Sequence, residues 1–208
     1  MKLSKGALVS ILIVSLLVID QVIKVVVKLN MTLGESIPVM GMQWFRILFV
    51  ENEGMAFGMK FGGGFGKILL TLFRIALISV IIYWLKKKLL KEESTPTGVL
   101  VGVSLVLVGA IGNVIDSLFY GVIFGQSTLF ETASFFPDGG GYAPLLMGKV
   151  VDMFYFPLVS GTFPDWFPLK GGEDFIFFSP VFNFADSCIT VGVFYLLLFK
   201  SKFFSKLM

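Results

Sequence analysis

Residues 7–27 read ALVSILIVSLLVIDQVIKVVV, twenty-one positions that are apolar apart from two serines and the cluster Asp20, Gln21 and Lys24. A hydrocarbon core takes about 20 residues of helix to cross. The stretch is long enough, and in lipid only a helix or a closed barrel satisfies its own backbone. Lys2 and Lys5 precede it, as in a cleavable leader, but no Ala, Gly or Ser occurs from Leu17 to Met31. A small-residue cleavage site is therefore missing, and an uncleaved first span is expected.

Working outward, three more stretches have this character: about residues 67–85, 97–120 and 181–199. Thr95-Pro96 reads as an N-cap and first-turn pair for the third, and Pro180 precedes the fourth. The whole chain agrees. Hydrophobic residues are 56% of 208, and 23 glycines bring the apolar total to roughly two thirds. Mean hydropathy is +0.89. There is no histidine and one cysteine, Cys188. That removes Ser-His-Asp triads, histidine-ligated metals, thiolate clusters and intrachain disulfides. A net charge of +3 gives no nucleic-acid footprint.

Lysine sets the expected orientation. Lys2, Lys5, Lys86, Lys87, Lys88, Lys91, Lys200, Lys202 and Lys206 all fall on one side of the four spans. The positive-inside rule places both termini and the Lys86–Thr95 loop in the cytoplasm. The long connections, residues 29–66 and 121–180, then face outward. Alternation over Met42–Val50 predicts a strand, within a β-rich layer at about residues 36–60. Gly62 to Gly64 read as a flexible turn, and Trp166 with Phe163, Phe167 and Phe175 to Phe178 suit a membrane interface. The expectation is one α-helical membrane domain, residues 1–208.

Polar groups inside apolar runs cost about 2.5–3.5 kcal/mol each at mid-helix, so they are functional candidates. Here they are Asp20, Gln21 and Lys24; Arg74; Asn113 and Asp116; and Asn183, Asp186 and Ser187. All the aspartates fall in the outer half of the bilayer. Asn183, Asp186, Ser187 and Thr190 share one helix face. Asp152, in the apolar segment Val150–Phe154, could meet Asp186. Two close carboxylates cannot both ionise easily, so one holds a proton while the other acts as base. From these residues alone a structural role and a catalytic role stand side by side. A proton- or ion-coupled transporter is the rival class, although its polar groups would continue toward the cytoplasmic side.

In order along the chain stand Asp20-Gln21 with Lys24, Asn52-Glu53-Gly54-Met55-Ala56-Phe57-Gly58, Gly112-Asn113-Val114-Ile115-Asp116, Val150-Val151-Asp152, and Phe182-Asn183-Phe184-Ala185-Asp186-Ser187. These five boxes resemble those of the lipoprotein signal peptidases, also called signal peptidase II. The resemblance implies an intramembrane aspartic endopeptidase with Asp152 and Asp186 as the catalytic pair. Asp20, Lys24, Asn52, Gly54, Asn113, Asp116 and Asn183 would bind substrate or support the site. It implies no metal and no cofactor. The substrate would be a diacylglyceryl-modified prolipoprotein, cut before the lipidated cysteine, and globomycin the inhibitor. It also implies a monomer in contact with membrane lipids, at the bacterial cytoplasmic membrane. Two departures stand out. Ser117 occupies a position where the family carries Arg, for which Arg74 is the candidate replacement. The stretch between Asp116 and Asp152 is longer than the family's, giving an extra outer element at about residues 125–148.

Overall fold

The computed structural model describes residues 3–53, 63–166, 168, 170–177 and 180–205. Among these, four helices are long and apolar enough to cross a membrane. Helix α1 (Lys5–Asn30) starts where the Ser4 hydroxyl accepts the Ala7 N–H at 3.1 Å. Next come β1 (Ser36–Pro38), a 3₁₀ turn at Val39–Gly41, and β2 (Arg46–Asn52). Helix α2 (Gly63–Trp84) ends in a π turn over Leu85–Leu89. Helix α3 (Thr97–Ile115) continues through a second π turn, Asp116–Tyr120, into the short α4 (Gly121–Ile123). Strands β3 (Val150–Tyr155), β4 (Val159–Thr162), β5 (Asp174–Phe177) and β6 (Val181–Phe182) precede α5 (Phe184–Ser205).

Several boundaries differ from those read in the sequence. Pro96, not Thr95, is the N-cap of α3, and no side chain caps that end. The Thr95 hydroxyl has no hydrogen-bond partner among the described residues, while its carbonyl accepts from Lys5 Nζ at 2.8 Å. Residues 181–182 form a strand, not the first turn of a helix. The strand expected from Met42 begins at Arg46, because the chain is still turning over residues 43–45. Gly63 and Gly64 open α2, so only Gly62, outside the described residues, is left of the expected glycine turn.

α3 is the buried centre of the bundle and packs chiefly on α5 and α1, with α2 on another side. Close approach requires missing side chains. A Cβ at Gly109 would collide with the Ala185 carbonyl, and one at Gly112 would lie 2.6 Å from Asp20 Oδ2. The apolar side chains left over, such as Val14, Val18, Leu69, Phe73, Leu197 and Leu198, are exposed on the other helices. That is expected where lipid, not water, is the neighbour.

One antiparallel sheet, in the order β1-β2-β3-β6, closes one end of the bundle. It is thus broader than a layer at residues 36–60, since β3 and β6 come from the second long connection. Side chains alternate across it. Val50, Asn52, Val150 and Asp152 share one face, with Val50 opposite Asp152 and Asn52 opposite Val150. Phe49, Glu51, Val151 and Met153 share the other. Phe49, Val151 and Met153 are buried there against Val27 of α1, Met31 just after it, Tyr120, Phe124 and Ala133. The stretch 125–148 folds back over this second face through Ala133 and Tyr142. It closes on itself through Gly125 N–H to Ser134 O at 2.8 Å and is tied to the second π turn by Gly148 N–H to Ser117 O at 2.9 Å. β4 and β5 form a separate hairpin.

Candidate active site

The site begins with the start of α5. Asn183 stands at its N-cap. Its Oδ1 accepts the Asp186 N–H at 2.9 Å, and Asp186 Oδ2 accepts the Asn183 N–H at 3.2 Å. This is a reciprocal capping box built from Asn and Asp. Ala185, between them, donates its N–H to Asp20 Oδ1 at 2.9 Å. Three of the first backbone donors of a helix are thereby satisfied by named side chains, one of them from α1.

The cap leaves the Asn183 amide free to point across the site. Its Nδ2 donates to Asp152 Oδ1 at 2.7 Å and to Asn113 Oδ1 at 3.1 Å. Asn52 Nδ2 donates to the other oxygen, Asp152 Oδ2, at 3.2 Å. Asn113 Nδ2 donates to Asp186 Oδ1 at 2.8 Å. The structure therefore gathers Asp152, Asp186, Asn52, Asn113 and Asn183 from β3, α5, β2, α3 and the β6–α5 junction. Asp152 is nearly buried. Burial, and then the charge of Asp186, push its carboxyl up to about 7, against weaker opposition from the Asn52 and Asn183 hydrogen bonds.

Behind this layer lies a second. Lys24, fully buried, reaches Asp116 Oδ2 at 2.9 Å, Asp20 Oδ2 at 3.0 Å and Asn113 Oδ1 at 3.0 Å. A single ammonium thus holds two carboxylates and orients the Asn113 amide, so that its NH₂ faces Asp186. Gln21 is clamped by the π turn: it donates to Asp116 Oδ1 at 3.1 Å and accepts from Tyr120 at 3.1 Å. The Val151 N–H, next to Asp152, donates to Asp116 Oδ2 at 3.2 Å, which ties β3 to α3. Asp20, Lys24 and Asp116 therefore stand behind the Asp152–Asp186 layer, joined to it through Asn113. Lys24 of α1 is the cation on Asp116, and Ser117 donates to the Asn113 carbonyl at 3.0 Å. Arg74 on α2 lies within electrostatic reach of Asp186. Gly54 falls outside the described residues.

A third cluster lies outside the residues that the sequence singles out. Lys28 is fully buried on the second face of the sheet, paired with Glu51 and bonded to Ser127 Oγ at 3.0 Å. Its ammonium lies 5.0 Å from the Tyr142 ring centroid and 5.6 Å from that of Phe124. Lys149 reaches the other Glu51 oxygen at 3.1 Å. Burial raises the Glu51 carboxyl, but Lys28 and Lys149 outweigh it and hold the group below its ordinary value. The even spacing of Phe49 and Glu51 was the available signal, since both must share a face.

Four apolar helices, with an aspartate pair held where the bundle meets a small sheet, define a polytopic membrane protein with a polar site at one end. The sequence profile of the family described as "Signal peptidase (SPase) II" matches residues 12–202. A lipoprotein signal peptidase of Porphyromonas gingivalis is 54% identical over 196 residues, 94% of this chain and 84% of the relative. One of Amoebophilus asiaticus is 42% identical over 178 residues, 85% of this chain and 70% of the relative. A bacterial membrane enzyme solved by the in meso method has the same fold, with a TM-score of 0.61 at 22% identity, covering 95% of this chain and 90% of its own. The chain belongs to the signal peptidase II family.

Proposed function

We propose that this protein removes signal peptides from diacylglyceryl-modified prolipoproteins, cutting before the lipidated cysteine, and that Asp152 and Asp186 are its catalytic pair. The observation that carries the mechanism is the shared asparagine frame. Asn183 donates to Asp152 from its side chain and to Asp186 from its backbone, which fixes two carboxyl groups to one residue.

The environments divide the roles. Asp186 accepts from the Asn183 N–H and from Asn113 in the first turn of α5, where the helix dipole favours negative charge. Asp152 lies nearly buried and holds its proton up to about pH 7. Asp186 then takes a proton from the attacking water. Asp152 donates its own to the carbonyl oxygen of the scissile peptide. On collapse, the proton taken by Asp186 passes to the leaving amine and that on the hydroxyl returns to Asp152. Asn52, Asn113 and Asn183 keep both carboxyl groups in register. The lysines gathered at the opposite ends of the spans support a site at the outer face of the cytoplasmic membrane, by the positive-inside rule.

The test is conversion of a diacylglyceryl-prolipoprotein by purified enzyme in detergent. Asp152→Asn and Asp186→Asn keep shape and lose the proton chemistry. Each is expected to reduce turnover by about 10²–10⁴-fold or more, and the double variant little further. Near-full turnover by Asp186→Asn overturns the assignment.

A further inference from the structure

On the far face of the sheet from Asp152, a cavity of about 210 Å³ opens between α2, β2 and the 125–148 stretch. Lys67, Lys149, Gln126, Tyr142, Glu53 and Met147 are among its lining. We propose that this cavity binds the phosphate of an anionic phospholipid head group.

Three observations carry the proposal. The first is charge. Lys28, Lys67 and Lys149 face Glu51 and Glu53, leaving one ammonium in excess among the described residues. The Glu53 side chain is 46% exposed while that of Lys67 is 5% exposed. Water therefore screens the carboxylate more than the ammonium.

The second is donor capacity. Lys67 spends one N–H on Glu53 at 3.2 Å, and Lys149 spends one on Glu51 at 3.1 Å. Each ammonium carries three. The Tyr142 oxygen accepts the Lys149 backbone N–H at 2.7 Å, so its own proton remains to be donated. Gln126, exposed at the rim, adds an amide. Several donors around a lining whose one carboxylate is Glu53 suit the several oxygens of a phosphate.

The third is depth. α2 with its π turn is a continuous 27-residue helix. At 1.5 Å per residue it spans about 40 Å, against a hydrocarbon core of about 30 Å. Its first turn, with Lys67 one turn in from Gly63, therefore lies at the head-group boundary. Phe65 and Leu69 beside it are exposed to acyl chains. An anion at that level is a lipid phosphate, and its binding would brace the 125–148 stretch against α2.

The test uses the purified full chain in neutral detergent, with native mass spectrometry counting bound lipid and thermal unfolding read in parallel. Phosphatidylglycerol, phosphatidylcholine and inorganic phosphate are the probes. Gln126→Ala and Lys149→Ala are the variants; Lys28 keeps Glu51 paired in the second. Phosphatidylglycerol is expected to bind several-fold tighter than phosphatidylcholine and to raise the unfolding temperature. Lys149→Ala is expected to weaken it about tenfold, from loss of a charged hydrogen bond, and Gln126→Ala about threefold. Unchanged phosphatidylglycerol binding in both variants overturns the site. Stabilisation by inorganic phosphate but not by phosphatidylglycerol overturns the lipid as its source.

Discussion

Asn183 and Asp186 cap each other across the first turn of α5, at 2.9 Å and 3.2 Å, while the Asn183 amide reaches Asp152 at 2.7 Å. One residue therefore has two separable tasks. Its Oδ1 terminates a helix, and its NH₂ holds the other aspartate.

Substitution separates them. Asn183→Ser keeps a capping oxygen but loses the donor to Asp152 and to Asn113. Folding is expected to survive, with turnover reduced at least tenfold. Asn183→Ala loses both tasks and is expected to cost a further 1 kcal/mol or so of stability. Thermal unfolding and prolipoprotein cleavage, measured on the same preparations, check both. Full activity in Asn183→Ser would show that the amide bond to Asp152 has no part in turnover.

The raised Asp152 carboxyl predicts the alkaline side of the pH profile. If Asp152 must be protonated, activity falls as pH rises through about 7. Asn52 favours the ionised form through its 3.2 Å bond. Asn52→Leu removes that donor, so the alkaline limb should move to higher pH. A limb that moved lower, or an activity that rose steadily with pH, would contradict this role for Asp152.

Folding stability carries the same sign. A carboxyl raised in the native state contributes stability that is full below its ordinary value of 3.8 and is lost as pH rises through about 7. Asp152→Asn should flatten the dependence of unfolding temperature on pH in that window. A slope unchanged from wild type would assign the dependence to other groups.

How much of this was legible follows from what lipid makes expensive. Asp20, Lys24, Asn113, Asp116, Asn183 and Asp186 stood out because each interrupts an apolar run, and they do meet in one network. What they touch was not legible. The Asn183–Asp186 spacing of three reads equally as a shared face and as a capping box, and only the backbone conformation decides. β6 is two residues long, too short for any alternation. Lys28 was hidden for a different reason. A lysine at a span end ordinarily snorkels to the interface, whereas here Glu51, Ser127 and the surrounding rings bury it. Those partners come from segments about twenty to over a hundred residues away, so no local pattern announces them.

Lys24 provides the last prediction. It lies between Asp20 and Asp116 at 3.0 Å and 2.9 Å, and all three side chains are fully buried. Lys24→Met keeps most of the volume but leaves two buried carboxylates without their cation. Removing one partner of a buried pair typically costs about 3–5 kcal/mol, because the stranded charge is the larger penalty. The Asn113 amide would also lose the donor that orients it toward Asp186. Lys24→Met is therefore expected to unfold at markedly lower temperature and to lose activity in the fraction that remains folded. The compensated variant Lys24→Met with Asp20→Asn and Asp116→Asn removes the stranded charges. It should recover most of the stability, since no uncompensated charge is left buried, but not the activity if Lys24 orients Asn113. Thermal unfolding in detergent reads the first effect and prolipoprotein cleavage the second. A triple variant as unstable as Lys24→Met would show that packing around Lys24, rather than its charge, holds α1 to α3.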